Sequence, residues 1–286
     1  MAKVRNSLNW YPGHMKQAVD QIKKVLPLID VVIEIGDARA PYSSLNGFLN
    51  NVIKDKKRIL LYSKKDLADA QKINKVISEF KKQGIFARAL DFKNPKEIKE
   101  LQKFLCTVKS KKSLKYERLG LALPPLRCLI VGIPNVGKST LINSLVGKSK
   151  AKVENKPGKT RAQQLIKINS RLELVDTPGI LQPNYEDKNA IMHLIWIGSV
   201  NDKVIPMDDV ALQLAQFLID NYASGLRERF NISSNTELNV DNLYNEIAKS
   251  RKYVLAGNEL DTMRARDILI KEFRAGLLGK CVVDNV

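Results

Sequence analysis

The sequence predicts an α/β protein: a parallel sheet with helical crossovers, followed by a small all-α region. Three observations predict it. Apolar, strand-like runs alternate with amphipathic helical runs over residues 14–106. A complete phosphate-loop spacing, Gly132-x4-Gly137-Lys138-Ser139, stands between an apolar run and a helical one. Beyond about residue 200 the apolar spacing becomes helical. The expected division is an α/β domain over 1–200, with a linker near 107–125, and a helical domain over 201–286.

Residues 14–29 place Met15, Val19, Ile22, Val25 and Leu26 at helical spacing with lysines opposite. "DVVIEIGDARAP" (30–41) opens with a short apolar run that reads as a buried strand, and "KKRILLYSKKD" (56–66) is a strand entering a loop. "DAQKINKVISEFKKQG" (69–84) is an amphipathic helix closed by Gly84. "IFARALDF" (85–92) and "PKEIKELQKFLC" (95–106) give another strand and helix. "TVKSKKSLKYERLGLALPP" (107–125), basic and then proline-terminated, reads as a linker. "LRCLIVG" (126–132) is a strand, 137–147 a helix and 162–179 a two-stranded hairpin; helices are expected at 208–223, 241–252 and 259–275.

The length of 286 residues suits one nucleotide-binding domain and a smaller one, and 44% apolar residues suffice for a core. No run approaches the roughly eighteen apolar residues of a membrane span. The N-terminal stretch lacks the continuous apolar core of a signal peptide. Cys106, Cys128 and Cys281 are odd in number and far apart, which suggests a reducing cytoplasm and argues against a disulfide framework or a zinc knuckle. Net charge is +18. Residues 1–200 hold 37 Lys/Arg against 17 Asp/Glu, and residues 201–286 hold 11 against 13. Clustering of that size suggests a polyanionic partner, nucleic acid being the common one, with lysine drift in an AT-rich genome as the alternative.

In the phosphate loop, glycines let backbone N–H groups converge on phosphates, so that Asn135, Val136, Gly137, Lys138, Ser139 and Thr140 would line them. Lys138 would reach the β/γ oxygens and Ser139 a Mg²⁺ ion. "LELVDTPGI" (172–180) follows, with Asp176 thirty-eight residues after Lys138. It would sit behind a water on the Mg²⁺, while the Gly179 amide could meet a γ-phosphate. Thr160, in "KPGKTRAQQ", lies between them as a switch threonine on Mg²⁺.

An aspartate that accepts hydrogen bonds from guanine N1–H and N2–H₂ selects GTP over ATP, because adenine offers no such pair. Its usual carrier, Asn-Lys-x-Asp after an apolar strand, is missing from 180–286. Ser63-Lys64-Lys65-Asp66 fits except for its first residue, about seventy residues ahead of the phosphate loop. This order of base reader, phosphate loop, switch threonine and DTPG resembles that of the circularly permuted GTPases. More narrowly, "WYPGHM" (10–15), "DARAPYSS" (37–44), "GIPNVGKSTLIN" (132–143), "PGKT" (157–160), "DTPGI" (176–180) and "FRAGLLGK" (273–280) resemble the bacterial ribosome biogenesis GTPase A, or YlqF, group.

The resemblance implies a P-loop GTPase fold with permuted motif order. It also implies GTP hydrolysis with Mg²⁺ in the cytoplasm, and large-subunit precursors and rRNA as partners, with no membrane or DNA involved. It makes Asn135 the mark of K⁺ dependence and His14 a substitute for the absent water-orienting glutamine, since Ile180 follows DTPG; His14 as a helix-start or RNA contact is the other reading. Ser63 in place of Asn should lower base affinity while Asp66 keeps the preference. Asp91, in "ALDF", would mark a second base loop. Trp10 and Tyr11 either stack on RNA or cap the core, and His193, among apolar residues, reads as packed. The lysine runs 54–58, 109–118 and 148–161 are RNA candidates as a set. Opening the permuted chain after DTPG would run the γ-phosphate switch almost directly into the helical region. Two other functional readings stand beside this one: a GTP-binding RNA chaperone with vestigial hydrolysis, and a P-loop enzyme acting on a small molecule.

Overall fold

A computed structural model describes residues 13–53, 56–147, 165–177, 179–181, 187–200 and 206–286, with the backbone alone for 13–16. The order is α1 (Gly13–Val25), β1 (Val31–Asp37), α2 (Gly47–Ile53), β2 (Lys57–Ser63), α3 (Ala70–Lys82), β3 (Phe86–Ala89), α4 (Pro95–Thr107), α5 (Lys111–Arg118), β4 (Leu126–Gly132) and α6 (Lys138–Val146). There follow β5 (Leu165–Asn169), β6 (Leu172–Asp176), α7 (Lys188–Trp196), α8 (Met207–Phe230), α9 (Val240–Arg251) and α10 (Thr262–Ala275).

Among the described residues six strands form one sheet in the order β3-β2-β1-β4-β6-β5, with only β5 antiparallel to its neighbour. β1 is buried at all seven positions, as a central strand covered on both faces must be. β1 and β4 are neighbours although β2, α3, β3, α4 and α5 separate them in the chain. Register decides what that adjacency does. Asp37 stands opposite Ser63, and Ile35 opposite Gly132, so β2 and the phosphate-loop strand β4 end at one sheet edge.

Four elements differ from expectation. The linker contains α5, started by a reciprocal capping box in which the Ser113 amide donates to Ser110 Oγ and the Ser110 amide to Ser113 Oγ. α2 and α7 were not anticipated. α2 has seven residues, and α7, "KNAIMHLIW", is too uniformly apolar to show a helical stripe. α8 continues to Phe230 through a kink at Tyr222 (φ −140°, ψ 32°).

One core cluster runs from the sheet (Ile33, Ile35, Ile130, Leu174) to the C-terminal helices (Leu214, Leu218, Ile247, Phe273). The chain then returns to the sheet. Val282 packs with Leu60, Tyr62 and Val76, and the Val283 amide donates to the Arg39 carbonyl at 2.7 Å.

Candidate nucleotide site

The phosphate loop leaves β4 and enters α6 by a backbone that only small residues fit. A Cβ on Gly132 would lie 2.5 Å from the Ile35 carbonyl oxygen, so no side chain fits between β4 and β1 at that point. Gly137 is left-handed (φ 95°). A Cβ there would stand 3.6 Å from Ser63 Cβ and 3.4 Å from Phe92 Cδ2. The end of β2 and the β3–α4 loop therefore reach the phosphate loop directly.

Lys138 is buried, and its Nζ donates to the carbonyls of Gly132 (3.1 Å) and Ile133 (2.8 Å). Burial pulls its ammonium down to about 8, against the opposing charge of Asp176. Asp176, at the end of β6, is pushed up by burial, with Lys138 and the Thr177 amide acting the other way. Its Oδ1 is buried without a hydrogen-bond partner among the described residues. The pocket thus disfavours both charges as it stands; an anion beside Lys138 and a hydrated cation beside Asp176 would relieve them. Ser139, Thr140 and Asn135 are exposed at the loop. Val136 is buried beneath it. Gly179 presses against the same loop, a Cβ there falling 2.9 Å from Pro134 Cα and 3.0 Å from Lys138 Nζ.

The loop after β2 has Lys64 left-handed (φ 55°), followed by a 3₁₀ turn over Lys65–Leu67 that carries Asp66, which is exposed. Ser63 is buried, and its Oγ donates to the Gly36 carbonyl at 3.2 Å. It reaches the phosphate loop by contact alone, the shortfall expected of a serine in this place. Lys65 Nζ bonds Glu97 (2.9 Å), whose other oxygen accepts the Asp91 amide (2.8 Å). The Asp91 carboxylate is occupied locally, accepting from the Lys93 amide at 2.8 Å. Thr160, Trp10 and Tyr11 lie outside the described residues, as does the side chain of His14.

Two family models match the chain: "50S ribosome-binding GTPase" over residues 127–254 and "RsgA GTPase" over residues 30–186. The ribosome biogenesis GTPase A of Bacillus cereus is 38% identical over 278 residues, 97% of this chain and 94% of that protein. The chain belongs to the ribosome biogenesis GTPase A family. The probable ribosome biogenesis GTPase A of Mycoplasma genitalium is 32% identical over 274 residues, 96% of this chain and 95% of that one. Among solved structures, GDP-bound TM YlqF superposes with a TM-score of 0.63 at 25% identity, covering 93% of this chain and 98% of that one. By class the protein is a GTP-hydrolysing enzyme of the permuted P-loop fold.

In this ribosome biogenesis GTPase A relative, two buried polar clusters beside the site escaped sequence reasoning. Asp37 ends β1 and accepts from Arg39 Nε (3.0 Å), Arg39 Nη2 (2.9 Å) and Lys64 Nζ (2.8 Å). Burial alone would raise the Asp37 carboxyl; Arg39, then Lys64, hold it well below the usual carboxylate range. Arg39 is itself buried, and also donates to the carbonyls of Ile197 (3.4 Å) and Arg274 (3.2 Å).

The second cluster corrects the reading of His193. Its ring packs tilted against Trp196 (5.3 Å between centroids, 38° between planes), but Nδ1 lies 2.9 Å from Asp284 Oδ1 and 3.1 Å from Ser43 Oγ. Serine and aspartate meet the same ring nitrogen. A nucleophilic relay needs one on each nitrogen, so this is a tie and no triad. "DARAPYSS" carries the signal for Arg39 and Ser43; nothing in "CVVDNV" singles out Asp284.

Proposed function

We propose that this GTPase assists assembly of the large ribosomal subunit in the cytoplasm, binding GTP with Mg²⁺, docking on rRNA of the maturing particle and leaving after hydrolysis. The observation that carries the reading is the convergence of the permuted motifs on one sheet edge, in a chain alike over nearly its full length to proteins named for ribosome biogenesis.

In this reading Asp66 selects guanine, with Lys64 beside the base and Ser63 and Asp91 shaping its loops. Residues Asn135 to Thr140 cradle the phosphates. Lys138, now on its own loop carbonyls, transfers to the β/γ oxygens. Ser139 and Thr160 hold the Mg²⁺, and the unpartnered Oδ1 of Asp176 accepts from one of its waters. The ion neutralises charge that develops on the phosphates. The Gly179 amide senses the γ-phosphate.

Ile180 is fully buried, its amide donating to the Gly132 carbonyl (3.1 Å) and its carbonyl accepting from Asn46 Nδ2 (2.9 Å). It cannot orient water, so hydrolysis should be slow alone, with Thr160 and His14 completing the site on the particle. The test is GTP hydrolysis in KCl with and without purified large subunits. A rise of about tenfold or more, roughly 1.4 kcal/mol off the barrier, is expected. The same rate with large or small subunits would favour the RNA-chaperone reading.

Asn135 is left-handed (φ 59°) and exposed, and its Nδ2 donates to the Gly198 carbonyl (2.9 Å). Its Oδ1, without a partner among the described residues, suits a K⁺ ion placed as a fixed positive charge at the phosphates. Turnover is expected to be faster in KCl than in NaCl, and equal rates would remove the K⁺ role.

Two of the lysine runs meet at the opposite sheet edge, where Lys56, Lys57, Lys109, Lys111, Lys112 and Arg127 line one groove. Lys111 and Lys112 begin α5, where the helix dipole disfavours cations, so a phosphate there would offset a local cost. rRNA affinity should fall steeply with salt. Neutralising Lys57, Lys111 and Lys112 together should reduce the slope of log K against log[salt] by about two to three. An unchanged slope would move the RNA contact elsewhere. No helix among the described residues is long and apolar enough to cross a membrane.

A further inference from the structure

The base-reading loop is held from both sides by the end of the chain. After Asp66, the Leu67 carbonyl accepts the Cys281 amide at 3.1 Å. Gly276, the left-handed cap of α10 (φ 75°), lies so close that a Cβ would stand 2.4 Å from Leu67 Cδ2. Before Asp66, Lys64 is tied to Asp37, and Asp37 to Arg39, whose Nη1 donates to the Arg274 carbonyl in the last turn of α10. Asp66 itself is exposed and makes no hydrogen bond among the described residues, so its orientation depends on these two flanks.

We propose that the end of α10 and the segment 276–283 are a positioning clamp for guanine recognition. Leu67 and Gly276 are its positioning residues. The inference rests on Asp66 as the guanine reader. It needs no γ-phosphate and no movement of the DTPG segment, so it acts on GDP and GTP alike. Release of the product nucleotide is the step it would govern.

The experiment measures affinity for GDP and for IDP, which lacks the exocyclic 2-amino group that a base-reading carboxylate binds. Wild type should prefer GDP by about tenfold or more, the order expected when a site that hydrogen-bonds a substrate N–H meets an analogue lacking it. Gly276→Ala should compress that preference at least threefold, by pushing Leu67 and turning Asp66. Leu67→Ala, which adds no backbone strain, should do the same and carries the test if the glycine variant does not fold. Ile247→Val, in the core of α9, serves as the comparison: it lowers stability and should leave the preference at the wild-type value. A GDP preference unchanged in both clamp variants, or reduced equally by Ile247→Val, would overturn the clamp. An Asp66→Ala variant with wild-type preference would overturn instead the reading beneath it.

Discussion

Lys138→Ala is expected to reduce GTP hydrolysis on the particle by about 10² to 10³, the usual consequence of removing one preorganised charge donor from developing phosphate charge. The side chain is buried and already aimed into the phosphate loop, so the loss is specific to the loop. Two effects combine. The phosphates lose their ammonium, and the Ile133 carbonyl loses the Lys138 donor, while the Gly132 carbonyl keeps the Ile180 amide. Single-turnover hydrolysis with saturating large subunits is the measurement, with a nucleotide-affinity measurement beside it to separate binding from chemistry. Cells carrying the variant should accumulate immature large subunits. Normal subunit maturation with a hydrolytically dead enzyme would favour the RNA-chaperone reading.

The second large effect is on stability. Arg39→Ala removes the main partner of the Asp37 carboxylate, which is fully buried, and leaves Lys64 as its one cation, with the residue 39 amide still donating to Oδ1. Breaking a buried pair from one side costs about 3–5 kcal/mol. For a chain of this size that is a fall in Tm of roughly 10 °C. A fall under about 2 °C would show that the cluster contributes little.

The pH dependence has a definite sign. The folded-state pKa of Asp37 is depressed, so its stabilisation is present above the ordinary carboxylate pKa and is lost as pH falls through the folded value. The gap between wild type and variant in urea unfolding should therefore be level from neutral pH to about 5 and close below about 4. The same guanidinium bonds carbonyls at the ends of α7 and α10, so hydrogen exchange should rise at both helix ends in the variant.

Strand positions were legible because central strands buried on both faces are continuous apolar runs, and "VVIEIGD", "RILLY" and "LRCLIVG" are such runs. The phosphate loop and DTPG were legible because their chemistry fixes residue types at fixed spacing. α5 was hidden by charge: most of "KKSLKYER" is charged, and a serine capping box starts it where lysines suggested a solvated linker. α7 was hidden for the opposite reason, having too many apolar residues to show a face. His193 was placed in an apolar setting, correctly as to Trp196, but its polar partners come from Ser43 and Asp284, 150 and 91 residues away. No local pattern encodes such a pairing.

The sequence by itself determined the fold class, the family and the phosphate-loop and DTPG motifs, because each is a short-range constraint on backbone conformation or side-chain chemistry. Tertiary structure alone decided that the Ser63–Asp66 stretch reaches the phosphate loop, through the register that sets Asp37 beside Ser63 and Ile35 beside Gly132. It alone decided that the end of the chain closes on that loop through Leu67, Gly276 and Cys281. The physical reason is common to both. A parallel sheet brings strand ends together by pairing and crossover, whatever their order along the chain, and the order is all that a sequence displays.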